Sequence, residues 1–315
     1  MKMRAGEADV YEEGANYTSL IRDSRRPDVV KPTVSAARFS DDGGATVATL
    51  VNWHSHPEVT ISTHEISSDF PHYLRERMEA LYGGTSVYVS GAVGGLQTPL
   101  SADVPAVDEN GDRVLDDETP VFLRDQSFEK SRSLGFVLAE YAQAAIDGAD
   151  LVTDLPVNVA ARELTIPLHN PFLWFIEILG ILDYEDDVDV IWDRPFECAI
   201  ACAVQNIALA RVGPLAIGTS PGETFPETLI GREASSYDYG GGFGVFNFPA
   251  MDGYEEALDA EVKMHLGLTG DEAGYIVPHA DYHAPAHPDF YEEGFCLGTT
   301  VETIYRNGML DLIGP

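Results

Sequence analysis

The sequence predicts an α/β fold, a mixed β-sheet core flanked by helices. Three observations carry this. Short runs rich in β-branched and aromatic residues, such as TVSAARF (33–39) and ATVATLVNW (45–53), alternate with longer stretches of helical periodicity. Turn-forming residues punctuate the runs, as in the SDDGG that joins those two. Of the 315 residues, 44% are hydrophobic, enough for a sizeable core, and no linker-like shift interrupts the composition, so 1–315 reads as one domain.

Taken in order, 33–39 and 45–53 read as two strands and a tight turn, the second delivering His54 and His56 to its C-terminal end. SSDFPHYLRERMEALYGG (67–84) reads as a capped helix: Asp69 is the N-cap, Pro71 lies in the first turn, and Phe70, Leu74, Met78 and Leu81 form one apolar face. TSVYVSGAVGGLQTP (85–99) is a strand entering a glycine-rich turn, and the acidic 101–126 reads as a surface loop. A second amphipathic helix is predicted over 128–149, with Leu134, Leu138, Tyr141 and Ala145 on one face. Strands follow at 157–168 and in the pair AIACAVQNIALARV and PLAIGTSPGETF. Residues 235–250 read as a loop and 253–263 as a short helix.

Charge narrows the function. Nineteen basic against 52 acidic residues give a net charge of −33. That excludes duplex nucleic acid as a default partner, because phosphate contacts need Lys and Arg, and it argues against docking on an anionic membrane. Only four lysines occur, and the carboxylates are dispersed, which points to a salt-rich cytosol where counterions screen self-repulsion. Cys198, Cys202 and Cys296 make no disulfide framework, and the first two read as buried free thiols. No apolar leader is visible, and NPFLWFIEILGIL (170–182), interrupted by Glu177, is too short to span a bilayer. This stretch reads as core, and the default localisation is cytoplasmic. Oligomeric state is not legible.

Three polar signals fall where predicted strands end: His54 and His56, Glu223, and Tyr275. An imidazole, a carboxylate and a phenolate each suit a borderline cation such as zinc. Each has a plainer reading as well: a satisfied strand-end histidine, a solvent-facing glutamate, a packing tyrosine. His279, His283 and His287 share a spacing of four that would align them on a helix, but Pro285 and Pro288 oppose one, so they read as loop histidines.

Five segments, in order, resemble the neutral/alkaline (non-lysosomal) ceramidase family. LVNWHSHP is similar to its Asn-Trp-x-x-His-Pro stretch and SSDFPHYL to its Ser-Ala-Asp-Tyr-Pro segment. SGAVGGLQTP resembles its strand and Gly-Asp-x-Ser/Asn-Pro turn, SPGETFPE its Pro-Gly-Glu-Phe segment, and GLTGDEAGYIVPHADY its Asn-Asp-x-x-Gly-Tyr-x-x-Pro stretch. The resemblance spans roughly residues 33 to 293, and the family's immunoglobulin-like C-terminal domain has no counterpart.

The resemblance implies a neutral-ceramidase-like catalytic domain, with His56, Glu223 and Tyr275 as zinc ligands and Asp69 orienting a ligand histidine. His54 falls one step before the usual residue and either supports a ligand or is incidental. Two departures stand out. A further zinc histidine expected upstream has no counterpart, so the chain reads as a fold lacking its leading segment. In the glycine-rich turn, the position of the family's proposed serine nucleophile is taken by Gln97 or Thr98, depending on alignment. The implied activity is zinc-dependent hydrolysis of the N-acyl bond of a ceramide-like lipid amide. Tyr275 or the backbone amides of 91–97 would bind the oxyanion. The alternatives are a metallohydrolase acting on another amide or ester, or a non-catalytic relative with an incomplete metal site.

Overall fold

The computed structural model describes residues 1–179, 202–283 and 288–314. Their core is built on two four-stranded mixed sheets. In the first, β1 (Lys2–Asp9), β2 (Thr33–Ser40) and β3 (Thr46–Trp53) run antiparallel. The chain then crosses through α1 (Phe70–Tyr82) to β4 (Thr85–Ser90), which lies parallel to β3. α2 (Phe128–Gly148) packs against α1, β1 and β2. The second sheet has β5 (Val157–Pro167), β6 (Cys202–Val212) and β7 (Leu215–Thr219) antiparallel.

α3 (Pro171–Ile178) follows β5. A two-residue strand β8 (Glu223–Thr224) and the short α4 (Pro226–Ile230) follow β7. β9 (Val262–Leu266) closes the second sheet, parallel to β7. Then β10 (Tyr275–Ile276) pairs with β8, and α5 (Val301–Ile313) packs on β5 and β6.

The predicted helices form for the predicted reasons. Asp69 caps α1 through its side chain, Pro71 sits in the first turn, and Phe70, Leu74 and Met78 are buried at a spacing of four. Ser127 caps α2, which buries Leu134, Leu138 and Ala145 against α1 and the first sheet. A glycine permits that contact: a Cβ on Gly135 would meet the Phe70 carbonyl oxygen at 2.6 Å.

Several expectations need correction. The 101–126 loop is not wholly at the surface, because Ala102, Val104 and Val107 are buried. Residues 235–250 hold a hairpin, Ser235–Asp238 with Val245–Phe248, rather than a plain loop. The helix expected over 253–263 shrinks to one 3₁₀ turn, Tyr254–Ala257, and Val262 begins β9, whose β-branched start and buried methionine suit a sheet. Cys202 is disulfide-bonded, which overturns the free-thiol reading; Cys198 lies outside the described residues.

The apolar 170–182 stretch is only partly core. Leu173 is buried, but Phe172, Phe175 and Leu179 are about half exposed, and the end of the stretch lies outside the described residues. Among the described residues no helix is long and apolar enough to cross a membrane.

Candidate active site

Chain crossings bring the strand-end residues together. β3 ends at Trp53 and its parallel neighbour β4 at Ser90, so the segments leaving them travel side by side. Gly91 donates its N–H to the Trp53 carbonyl at 2.8 Å, and the His56 N–H donates to the Gln97 carbonyl at 2.9 Å. Gly94 donates to the Thr224 carbonyl at 3.0 Å, which joins the turn to the β8–β10 ladder. In that ladder Glu223 stands opposite Tyr275. His56 Nε2 lies 3.1 Å from Glu223 Oε2, with the side chains 19% and 15% exposed, so a ligand can reach a pair that is largely desolvated.

The charges around this pair are lopsided. Burial opposes protonation of His56, but the Glu223 hydrogen bond and the charges of Glu223 and Glu58 outweigh it and raise the imidazole pKa. Glu272, whose Oε1 accepts the Gly274 N–H at 3.1 Å, is pushed up to about 7 by burial and by the Glu223 charge. Burial, a hydrogen bond donated to Tyr291 and nearby carboxylates hold the Tyr275 phenol well above its ordinary range. The Tyr275 and Tyr291 hydroxyls lie 3.4 Å apart, with their rings edge to face.

No family model and no curated protein matches the sequence. Solved structures match its fold. The neutral ceramidase from Pseudomonas aeruginosa superposes with a TM-score of 0.59 at 15% identity, covering 99% of this chain and 51% of that one. The chain has the neutral ceramidase fold. A ceramidase complexed with C2 gives the same TM-score at 14% identity, with 99% and 53% covered. The chain thus spans about half the length of the structures it matches.

Within this fold the other candidate residues take distinct places. Gln97 is fully buried and meets the site through its backbone carbonyl, while its own Oε1 has no hydrogen-bond partner among the described residues. The Thr98 hydroxyl accepts the Leu100 N–H at 3.0 Å, and its backbone pairs with Arg22. No hydrogen bond links that hydroxyl to His56, Glu223 or Tyr275, so the threonine is engaged in the turn.

Asp69 corrects the resemblance. Its carboxylate accepts from the Thr60 N–H and hydroxyl, the Phe70 N–H and the Ser131 hydroxyl, all within 3.2 Å, and from no histidine among the described residues. It anchors the start of α1 instead of orienting a ligand. His54 is fully buried and accepts the Ala92 N–H on Nδ1 at 2.9 Å, and burial pushes its pKa well down. It supports the glycine-rich turn as a neutral ring. The rival histidines scatter: His279 bonds the Thr299 carbonyl, His283 packs against Phe246 and Phe290, and His287 lies outside the described residues.

Two neighbours escaped the sequence reading. Glu272 lies three residues before Tyr275 in GDEAGY, so an acid beside a suspected ligand was an available signal. Tyr291 reaches Tyr275 from the 3₁₀ segment Pro288–Phe295, and nothing in the sequence ties the two together. A cavity of about 560 Å³, lined by Tyr17, Arg22, Asp23, Arg26 and Tyr237 among others, lies elsewhere, and none of His56, Glu223 and Tyr275 lines it.

The donor set can be tested against zinc. An imidazole nitrogen and a carboxylate oxygen already in contact, with a phenol on the paired strand, are donors that zinc accepts. Glu223 and Glu272 receive no Lys or Arg contact among the described residues, so the site has negative charge that a cation would balance. By His, Cys, Asp and Glu alone, no group of three converges among the described residues. The fit therefore depends on Tyr275 as the third donor.

Proposed function

We propose that this chain is a ceramidase-like amidohydrolase, cleaving the N-acyl bond of a lipid-like amide with zinc held by His56, Glu223 and Tyr275. The observation that carries this reading is the His56–Glu223 contact of 3.1 Å, beside Tyr275 and with no Lys or Arg partner among the described residues, in a neutral ceramidase fold. When bound, zinc supplies Lewis-acid polarisation of the amide carbonyl. The rest falls to the chain. Glu272, raised to about 7 in the metal-free chain by burial and the Glu223 charge, is the carboxylate beside the pair that suits the general acid–base role. With Tyr275 engaged as a zinc donor, the amides of the 91–97 turn can donate to a developing oxyanion. Gln97 serves by fixing the backbone of His56, and Thr98 by closing the turn. A salt-rich working environment is part of the same reading, on the net charge of −33.

A second reading, a non-catalytic relative, rests on the donor count, since His, Cys, Asp and Glu supply no converging group of three among the described residues. One experiment separates them. Protein purified without chelator is assayed for zinc and for turnover of a fluorogenic N-acyl amide and of N-acylsphingosine. The amidohydrolase reading expects up to one zinc per chain, and a loss of at least about 100-fold in turnover with His56→Ala or Glu223→Ala. Zinc at wild-type level in both variants would remove the site, and bound zinc without turnover would favour the non-catalytic reading.

A further inference from the structure

We infer that His265 is a positioning residue that, through Ser220, holds the Glu223 carboxylate against His56. The inference rests on the site reading above and adds to it a second buried histidine, in β9.

The two sheets meet at Asn52 and His265. Asn52, fully buried near the end of β3, accepts the His265 N–H on Oδ1 at 3.0 Å. Its amide nitrogen donates to the His265 carbonyl at 2.9 Å and to the Val89 carbonyl at 3.0 Å. One side chain thus does the work of a missing peptide unit between β3, β4 and β9. His56 leaves the same strand four residues later, so its origin is tied to the backbone of His265.

The imidazole carries the link to the other partner. Ser220 Oγ lies 3.0 Å from the Gly222 carbonyl, which can only accept, so the serine donates there. The contact of 3.1 Å between Ser220 Oγ and His265 Nε2 must then run from N–H to oxygen. That leaves Nδ1 without a proton, able to accept from the Tyr254 hydroxyl at 3.0 Å. Every group is satisfied in a single direction: tyrosine to imidazole, imidazole to serine, serine to carbonyl. Burial supports the neutral ring, pushing the His265 pKa down to about 3.

The chain of bonds ends one residue short of Glu223. Gly222 has no room to adjust: a Cβ there would stand 2.3 Å from the Gly274 carbonyl oxygen. The Glu223 N–H donates to that same Gly274 oxygen at 3.0 Å. With the Gly222 carbonyl held by Ser220 and the Glu223 amide held by Gly274, the peptide that aims the carboxylate is fixed at both ends. Residues that orient a metal ligand from behind govern metal affinity by about 10–100-fold.

The test compares Ser220→Ala, His265→Phe, His265→Gln and His56→Ala. Each is purified as the full chain and checked for cooperative unfolding. Zinc affinity is measured by competition with a chromophoric chelator, and metal-free Ser220→Ala is crystallised. Ser220→Ala and His265→Phe should weaken zinc binding at least about tenfold. His265→Gln, which keeps one acceptor and one donor, should recover most of it. In the Ser220→Ala crystal the Glu223–His56 pair should open beyond hydrogen-bond distance. If His265→Phe fails to fold, Ser220→Ala alone decides. Wild-type zinc affinity and an intact pair in Ser220→Ala would overturn the inference while leaving the site standing. Wild-type affinity in His56→Ala would bring down both.

Discussion

Glu223 and Glu227 lie four residues apart and belong to regions built on opposite electrostatic plans. Around Glu227 the carboxylates face guanidinium groups. Arg232 Nη1 reaches Glu227 at 3.0 Å and also binds Asp281, while Arg25 meets Glu292 at 2.9 Å and Glu293 at 2.7 Å. The side chains of these residues are 3% exposed or less, so their charges are spent on one another. Around Glu223 the contact is a histidine, no Lys or Arg meets Glu223 or Glu272 among the described residues, and water can enter. The first plan ties together the segments that bear Arg25, α4 and Tyr291. The second leaves donor atoms free for a ligand. The contrast teaches that within one acid-rich chain Arg25 and Arg232 are placed on buried structural carboxylates, while among the described residues Glu223 meets only a histidine.

The comparison breaks most readily at Arg25. Its guanidinium bonds Glu292 and both oxygens of Glu293, stacks over Phe225 and Phe290, and donates to the Asp281 carbonyl. Arg25→Met would strand two buried carboxylates, a change that costs about 3–5 kcal/mol when a buried pair loses one partner. Urea unfolding at neutral pH measures it. A loss under about 1 kcal/mol would mean that the network contributes no more than a surface pair.

Glu227 gives the next effect. Burial and the Asp281 charge raise its pKa from 4.5 to about 7, against the pull of Arg232 and Arg25. A carboxyl raised on folding holds a proton that the unfolded chain would release. Its contribution to stability is complete below 4.5 and is lost as pH rises through about 7. Glu227→Gln removes that titration. Relative to the variant, the wild type should therefore lose on the order of 2 kcal/mol between pH 5 and pH 8. Asp23 and Glu292 are also raised, and since both remain in the variant, the difference isolates Glu227 to first order. Parallel stability curves for the two proteins would show that Glu227 titrates as an ordinary carboxylate.

How much of this was legible follows from the reach of each signal. The strand pair 33–40 and 46–53 and the helices α1 and α2 were readable, because period, cap and breaker lie within one element, whereas α5, as long as α1, was not read. β1 was missed: KMRAGEAD lacks the β-branched run that marks a strand, and it forms by pairing with β2. His56 could be singled out because a polar pair ends an apolar strand. The register that sets Glu223 opposite Tyr275 was hidden, since two residues carry no periodicity. Asp69 shows the opposite failure. Its local role as a cap was readable, and the family resemblance added a distant role that none of its hydrogen bonds among the described residues serves.

The smallest effect tests the more exposed side of the comparison. The His56 imidazole is raised because the Glu223 hydrogen bond and charge exceed the cost of burying a cation. In zinc-free protein held in chelator, Glu223→Gln keeps the size and hydrogen-bonding reach of the side chain but removes the charge. The His56 titration, followed by its ring proton resonances, should move to lower pH than in the wild type. The stability consequence follows the sign for a raised histidine: it is present below the ordinary value of 6.5 and lost as pH rises through the folded value. Glu223→Gln should therefore cost stability at pH 5.5 and almost none at pH 8.5. Because both side chains are partly exposed, the loss should be about 0.5–1 kcal/mol. An unshifted His56 titration would mean that this pair, like a surface contact, holds no charge in reserve for a metal.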